Sequence, residues 1–138
     1  MLLQDIKKAL ILAPHTDDGE FGCGGTIAKL ISEGVEVYYI AFSACEHSVL
    51  PKFPSDILIT EVKEATQVLG IKRENLYLLK YDVRTFNFNR QGILDDIIKF
   101  RNKINPDLVF IPSLNDIHQD HATIANEAVR AFKFCNIL

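Results

Sequence analysis

The chain has 138 residues, enough for a single domain over 1–138 with little room for a second. Apolar side chains make up 48% and charged ones 24%, an ordinary globular balance. The net charge of −3, with 15 scattered Lys and Arg, offers no basic face to nucleic acid or an anionic membrane.

At the N-terminus, residues 1–8 lack the order of a signal peptide, in which positive charge precedes the apolar run, so no leader is expected. The longest apolar stretch, A-L-I-L-A-P over 9–14, is far short of a membrane span and reads as a strand buried on both faces. Residues 26–33 carry Ile27, Ala28, Leu30 and Ile31 at helical spacing, with Gly34 as the stop. V-E-V-Y-Y-I-A-F over 35–42 is β-branched and aromatic, which suits a second strand. Pro54, Ser55 and Asp56 open a helix that runs to Leu69 and ends at Gly70. Residues 76–79 read as a short third strand, and 92–104 as a helix broken by Asn105-Pro106. L-V-F-I-P over 108–112 is a fourth buried strand, and 121–134 a last amphipathic helix. This alternation predicts a three-layer α/β/α domain with a parallel sheet covered on both faces. Cys23, Cys45 and Cys135 are odd in number and irregular in spacing, which argues for a reducing, cytoplasmic setting.

Two clusters carry the chemistry. Pro14-His15-Thr16-Asp17-Asp18 stands where the first strand ends, and Asp116-Ile117-His118-Gln119-Asp120-His121 stands beyond the fourth. In open α/β sheets ligands bind past the carboxyl ends of the strands, where strand order reverses. A sheet containing the order 3-2-1-4 makes strands one and four neighbours, so the clusters would face each other although about 100 residues separate them. Two His and one Asp would supply the three protein ligands of a catalytic zinc, leaving a fourth position for water. Among the groups left over, a carboxylate and an imidazole would serve for proton transfer and for an oxyanion. Taken alone, adjacent Asp residues are commonly a turn or a helix N-cap, and His-Gln-Asp-His could be a surface loop. Their predicted convergence favours a site.

The neighbouring features carry less. G-x-x-G-x-G-G over 19–25 is not a dinucleotide or phosphate-loop fingerprint, and it serves close backbone approach or tight helix packing. Cys23 among these glycines reads as a small apolar filler rather than a ligand. His47 reads as a surface histidine. Arg84, Phe86, Phe88 and Arg90 alternate, which fits either a sugar- or phosphate-binding loop or an edge strand.

The stretch A-P-H-T-D-D-G-E-F-G-C-G-G-T over 13–26 resembles the opening motif of the LmbE-like (PIG-L) N-deacetylases, usually A-H-P-D-D-E running on to G-G-T. N-P-D-L-V-F-I-P-S-L-N-D-I-H-Q-D-H over 105–121 is similar to that family's H-P-D-H region, and Glu61 with Leu69-Gly70 falls where the family has an E…LG helix. The resemblance implies a Rossmann-like fold and zinc-dependent removal of an acetyl group from N-acetylglucosamine-type conjugates, with Fe²⁺ able to occupy a similar site. It implies His15, Asp18 and His121 as metal ligands and Asp17 as general base. It further implies His118 as the imidazole supporting the tetrahedral intermediate, and Asp120 as an acid that orients one of the histidines. Thr16 replaces the usual proline, Gly19 stands where glutamate is usual with Glu20 one place later, and Gln119 replaces a proline. Family members usually continue well past the second motif, so a portion is expected to be missing. The sheet edge left open would favour pairing with another copy. The alternatives are a Mg²⁺- or Mn²⁺-dependent phosphoester hydrolase and a non-catalytic metal- or glycan-binding module.

Overall fold

A computed structural model describes residues 6–133 and 135–138. Most of the N-terminal stretch examined for a leader, and Phe134, at the predicted end of the last helix, lie outside them. Five parallel strands, β1 (Lys8–His15), β2 (Glu36–Ser43), β3 (Leu76–Leu78), β4 (Leu108–Phe110) and β5 (Asn136–Ile137), form one sheet in the order β3-β2-β1-β4-β5. The predicted 3-2-1-4 order is therefore present, with a fifth strand beyond it. β5 lies just past the predicted last helix and is not expected from the sequence, because at two residues it is too short for an alternation to register.

The helices are α1 (Asp18–Ser32), α2 (Ile57–Leu69), α3 (Arg90–Ile104) and α4 (Gln119–Ala131). Along β1, Leu10 and Leu12 face one side and Ala9, Ile11 and Ala13 the other, all buried, because a strand covered on both faces is apolar at both parities. The first set packs with Ile93, Ile97 and Phe100 of α3 and Ile124 and Ala128 of α4. The second packs with Ile27 and Leu30 of α1 and Val62 of α2. Each such Val, Leu, Ile or Phe side chain contributes about 1.5–3 kcal/mol on burial, and together they fix which helix covers which face.

Two local readings are corrected. α1 begins at Asp18, eight residues before the predicted start at Thr26, and passes through all four glycines with a kink at Cys23 (φ −145°). Glycine weakens a helix by only about 1 kcal/mol per residue, and packing of Gly19 and Ile27 on the sheet offsets it. The alternating segment 84–90 is not an edge strand. Phe86–Phe88 forms a 3-10 turn in which Phe86 is buried and Phe88 exposed, since Phe86 fills the space between Phe42 and Tyr81. The predicted stop at Gly70 is present, with φ 90° in the left-handed region that glycine favours.

Candidate metal centre

β1 delivers His15 as its last residue, and the chain turns through Thr16 and Asp17 into α1. β4, hydrogen-bonded beside β1, exits through residues 111–118 into α4. The strand order reverses between these two strands, with β2 and β3 on one side of β1 and β4 and β5 on the other. Both clusters thus lie at one crevice, as predicted.

There three donor atoms converge. His15 Nδ1 lies 3.2 Å from Asp18 Oδ2, Asp18 Oδ2 lies 3.2 Å from His121 Nε2, and the two imidazole nitrogens are 3.3 Å apart. Bonds of about 2.0–2.2 Å to a tetrahedral zinc place ligand atoms about 3.3–3.6 Å apart. A nearly equilateral triangle of two imidazoles and a carboxylate therefore fits that ion in both size and donor chemistry.

Each of these three side chains is aimed by a neighbour. His15 Nε2 bonds to Asp120 Oδ2 at 3.0 Å, which turns Nδ1 toward the triangle. Asp120 is fully buried and also accepts from Arg84 N at 2.6 Å and from Phe86 N at 3.3 Å. His121 Nδ1 bonds to Asp116 Oδ2 at 2.8 Å, which leaves Nε2 for the triangle. Asp18 Oδ2 accepts the His15 backbone N–H at 2.8 Å and sits in the first turn of α1, where the helix dipole favours a carboxylate. Carboxylates on the far nitrogens of ligating imidazoles are the usual means of orienting them.

The electrostatics follow from this packing. Burial by itself lowers the His15 pKa, yet hydrogen bonds and charge from Asp18 and Asp120 outweigh it and hold the imidazole above its ordinary 6.5. Burial likewise works to raise Asp18, but His15 and His121 prevail and hold it below 3.8. The site thus favours positive charge against Asp18.

The remaining predicted residues fall around the triangle. Asp17 is the exposed N-cap of α1, and among the described residues no hydrogen bond occupies its carboxylate. His118 is exposed at the N-cap of α4, its ring 4.6 Å from that of His121 and 5.1 Å from that of His15. Its Nδ1 accepts the Asp120 N–H at 3.2 Å, so the neutral ring carries its proton on Nε2. His15, His118 and Asp120 also cluster, and there His15 Nε2 is bonded to Asp120 Oδ2, which also accepts the Arg84 N–H, while His118 Nδ1 accepts the Asp120 N–H. Cys23 is half-buried, donates to the Gly19 carbonyl, and has its thiol pushed up to about 11 by burial, which suits a packing role. His47 is exposed and lies 3.4 Å from exposed Asp82.

The sequence places Asp116 in the second cluster without indicating a role for it. Its spacing five residues before His121 was the available signal. The sequence marks Gly19 as one of four glycines and as standing where the family usually has glutamate, without giving the reason. A Cβ there would stand 2.5 Å from Tyr39 Cε2, and the Tyr39 hydroxyl instead accepts the Gly19 N–H and donates to Glu20. Tyr39 therefore fills the space that a larger side chain at position 19 would need. A cleft of about 650 Å³ opens beside Asp18, Asp116 and His121, walled by Phe21, Phe110 and Pro112.

Known proteins share this fold. The family described as PIG-L, GlcNAc-PI de-N-acetylase, matches residues 10–132. Diacetylchitobiose deacetylase of Thermococcus kodakarensis is 26% identical over 141 residues, covering 96% of this chain and 52% of that protein. A probable N-acetyl-alpha-D-glucosaminyl L-malate deacetylase 2 of Bacillus anthracis is 31% identical over 130 residues, covering 86% of this chain and 56% of that one. The solved N,N'-diacetylchitobiose deacetylase from Pyrococcus horikoshii, in complex with its inhibitor MPG, superposes with a TM-score of 0.82 at 30% identity, covering 96% of this chain and 51% of that chain. The chain thus spans about half the length of the relatives it matches. With the paired motifs, the strand order and a match over residues 10–132, this chain belongs to the PIG-L (LmbE-like) family.

Proposed function

We propose that the chain is a single LmbE-like domain that holds zinc through His15, Asp18 and His121 and hydrolyses the N-acetyl group of an N-acetylglucosamine-type amino sugar or its conjugate. The observation that carries this reading is the donor triangle with sides of 3.2–3.3 Å, assembled from residues about a hundred positions apart. Bound there, zinc supplies Lewis-acid polarisation of the amide carbonyl and a water of lowered pKa, and Fe²⁺ would offer similar chemistry.

The chain's own groups do the rest. Asp17 takes the proton from the attacking water and returns it to the leaving amine, a role open to a carboxylate that no hydrogen bond occupies. His118 donates Nε2–H to the oxyanion, because its Nδ1 is already engaged with the Asp120 N–H. Asp120 and Asp116 keep His15 and His121 in the ligating orientation. Two imidazoles with one carboxylate favour zinc over the Mg²⁺ or Mn²⁺ of phosphoester hydrolases, which prefer all-oxygen sites. With a net charge of −3, and with no described helix long and apolar enough to cross a membrane, small sugar conjugates are the partners this reading assigns.

Elemental analysis of wild type beside His121→Ala tests it. About one zinc per wild-type chain, lost in the variant, is expected, together with release of acetate from N-acetylated amino sugars by wild type alone. Equal metal content in the two proteins would refute the ligand set.

A further inference from the structure

The alternating segment Arg84-x-Phe86-x-Phe88-x-Arg90 supplies no ligand, yet its backbone reaches the site. Arg84 N and Phe86 N are two of the three donors that hold the buried Asp120 carboxylate. Arg84 aims its N–H there from φ 68°, a left-handed conformation that is unfavourable for a residue with a side chain. Such a conformation persists only where the surroundings enforce it. Gln119 Nε2 braces the same residue by donating to the Arg84 carbonyl at 2.9 Å. Phe86, fully buried, packs its ring 5.9 Å from that of His15.

The far end of the segment is tied down differently. Arg90, the first residue of α3, places Nε and Nη2 each 2.7 Å from Glu127 Oε1 on α4. Glu127 is fully buried, and its other oxygen takes Arg130 Nη1 at 2.5 Å. A buried carboxylate needs cationic partners. The two arginines are not equivalent, however. Arg130 lies on the same helix as Glu127, whereas Arg90 joins that helix to the segment that carries Arg84 and Phe86.

We propose that Arg90, acting through Glu127, is a positioning residue for the metal ligands. It clamps residues 82–89 onto α4, so that two backbone N–H groups hold Asp120 and Asp120 holds His15 with Nδ1 toward Asp18 and His121. The inference rests on the reading of His15, Asp18 and His121 as ligands. A clasp that serves only general stability would treat Arg90 and Arg130 alike.

The test uses the full chain and two readouts besides turnover: zinc affinity by chelator competition, and the visible spectrum of the Co²⁺-loaded protein. Arg90→Ala should weaken zinc about 10–100-fold, the usual range for residues that orient ligands, and should shift the cobalt bands. Arg90→Lys restores a cation beside Glu127 and should recover most of that loss. Arg130→Ala should leave affinity within about threefold of wild type, well inside that range. If Arg90→Ala does not fold, the pair Arg90→Ala/Glu127→Gln, which removes the cation and the buried charge together, carries the same expectation. Unchanged zinc affinity and spectrum in the Arg90 variants, or equal weakening by Arg90→Ala and Arg130→Ala, would overturn the proposal while leaving the ligand set intact. A wild-type chain that binds no zinc would overturn the ligand set and this proposal with it.

Discussion

Replacing Asp120 with alanine should damage the fold and the metal site by separately measurable amounts. The carboxylate is fully buried and takes three hydrogen bonds: Arg84 N at 2.6 Å and His15 Nε2 at 3.0 Å on Oδ2, and Phe86 N at 3.3 Å on Oδ1. Alanine leaves all three donors without an acceptor, and each buried donor so stranded costs about 1–3 kcal/mol. No longer burying a charge returns part of that sum. The expected net loss is about 3–5 kcal/mol, as when one partner of a buried ionic contact is removed. Asparagine keeps the shape and discriminates further. Its carbonyl can stand where Oδ2 stands, so that only the Phe86 N–H, on the longest of the three bonds, meets an amide donor instead of an acceptor. The loss expected there is about 1–3 kcal/mol. Both variants take the carboxylate from His15 Nε2, and zinc affinity should fall about 10–100-fold. Urea unfolding of the metal-free proteins measures the first effect, and chelator competition measures the second. An Asp120→Ala protein within about 0.5 kcal/mol of wild type, the range of ordinary surface substitutions, would refute the hydrogen-bond reasoning. Unaltered zinc affinity in that variant would refute the orienting role.

Three further outcomes follow from the same geometry. Asp17→Asn should lower deacetylation of an N-acetylated amino sugar by at least about 10²-fold while zinc content stays at the wild-type level; turnover near wild type would remove Asp17 from the base role. Gly19→Ala sets a Cβ against the ring of fully buried Tyr39, at 2.5 Å from Cε2, and should destabilise by about 1–3 kcal/mol, read as a lowered melting temperature. An unshifted melting temperature would mean that α1 can slide off Tyr39 without cost. Gly19→Glu, which restores the residue usual in the family, should be worse than alanine in the same measurement and should gain no activity, because Tyr39 occupies the volume that the glutamate needs.

The backbone elements were legible because their signals are local. β1 is apolar at both parities because it is covered on both faces, and α2 ends at Gly70 because the left-handed cap there favours glycine. The two clusters could be placed at strand ends for the same reason, since a polar run following a buried strand is a property of neighbouring residues. α1 was one exception. Four glycines in eight positions weaken the helical pattern, and what overrides them is burial on the sheet, which no window of sequence contains.

By itself the sequence determined which residue types were available for the site: two imidazoles and a carboxylate for a metal, a spare carboxylate and a spare imidazole for the reaction. It also determined the alternation that makes a parallel sheet, in which an order containing 3-2-1-4 sets the two clusters side by side. Only the tertiary structure decided which nitrogen of each histidine faces the metal position, because that choice belongs to Asp120 and Asp116 on the far side of each ring. Only it revealed that Arg84 and Phe86 serve through their backbone and that Arg90 answers to a carboxylate 37 residues away. Side-chain type is written in the chain, but the direction of a lone pair is set by whatever long-range packing places beside it.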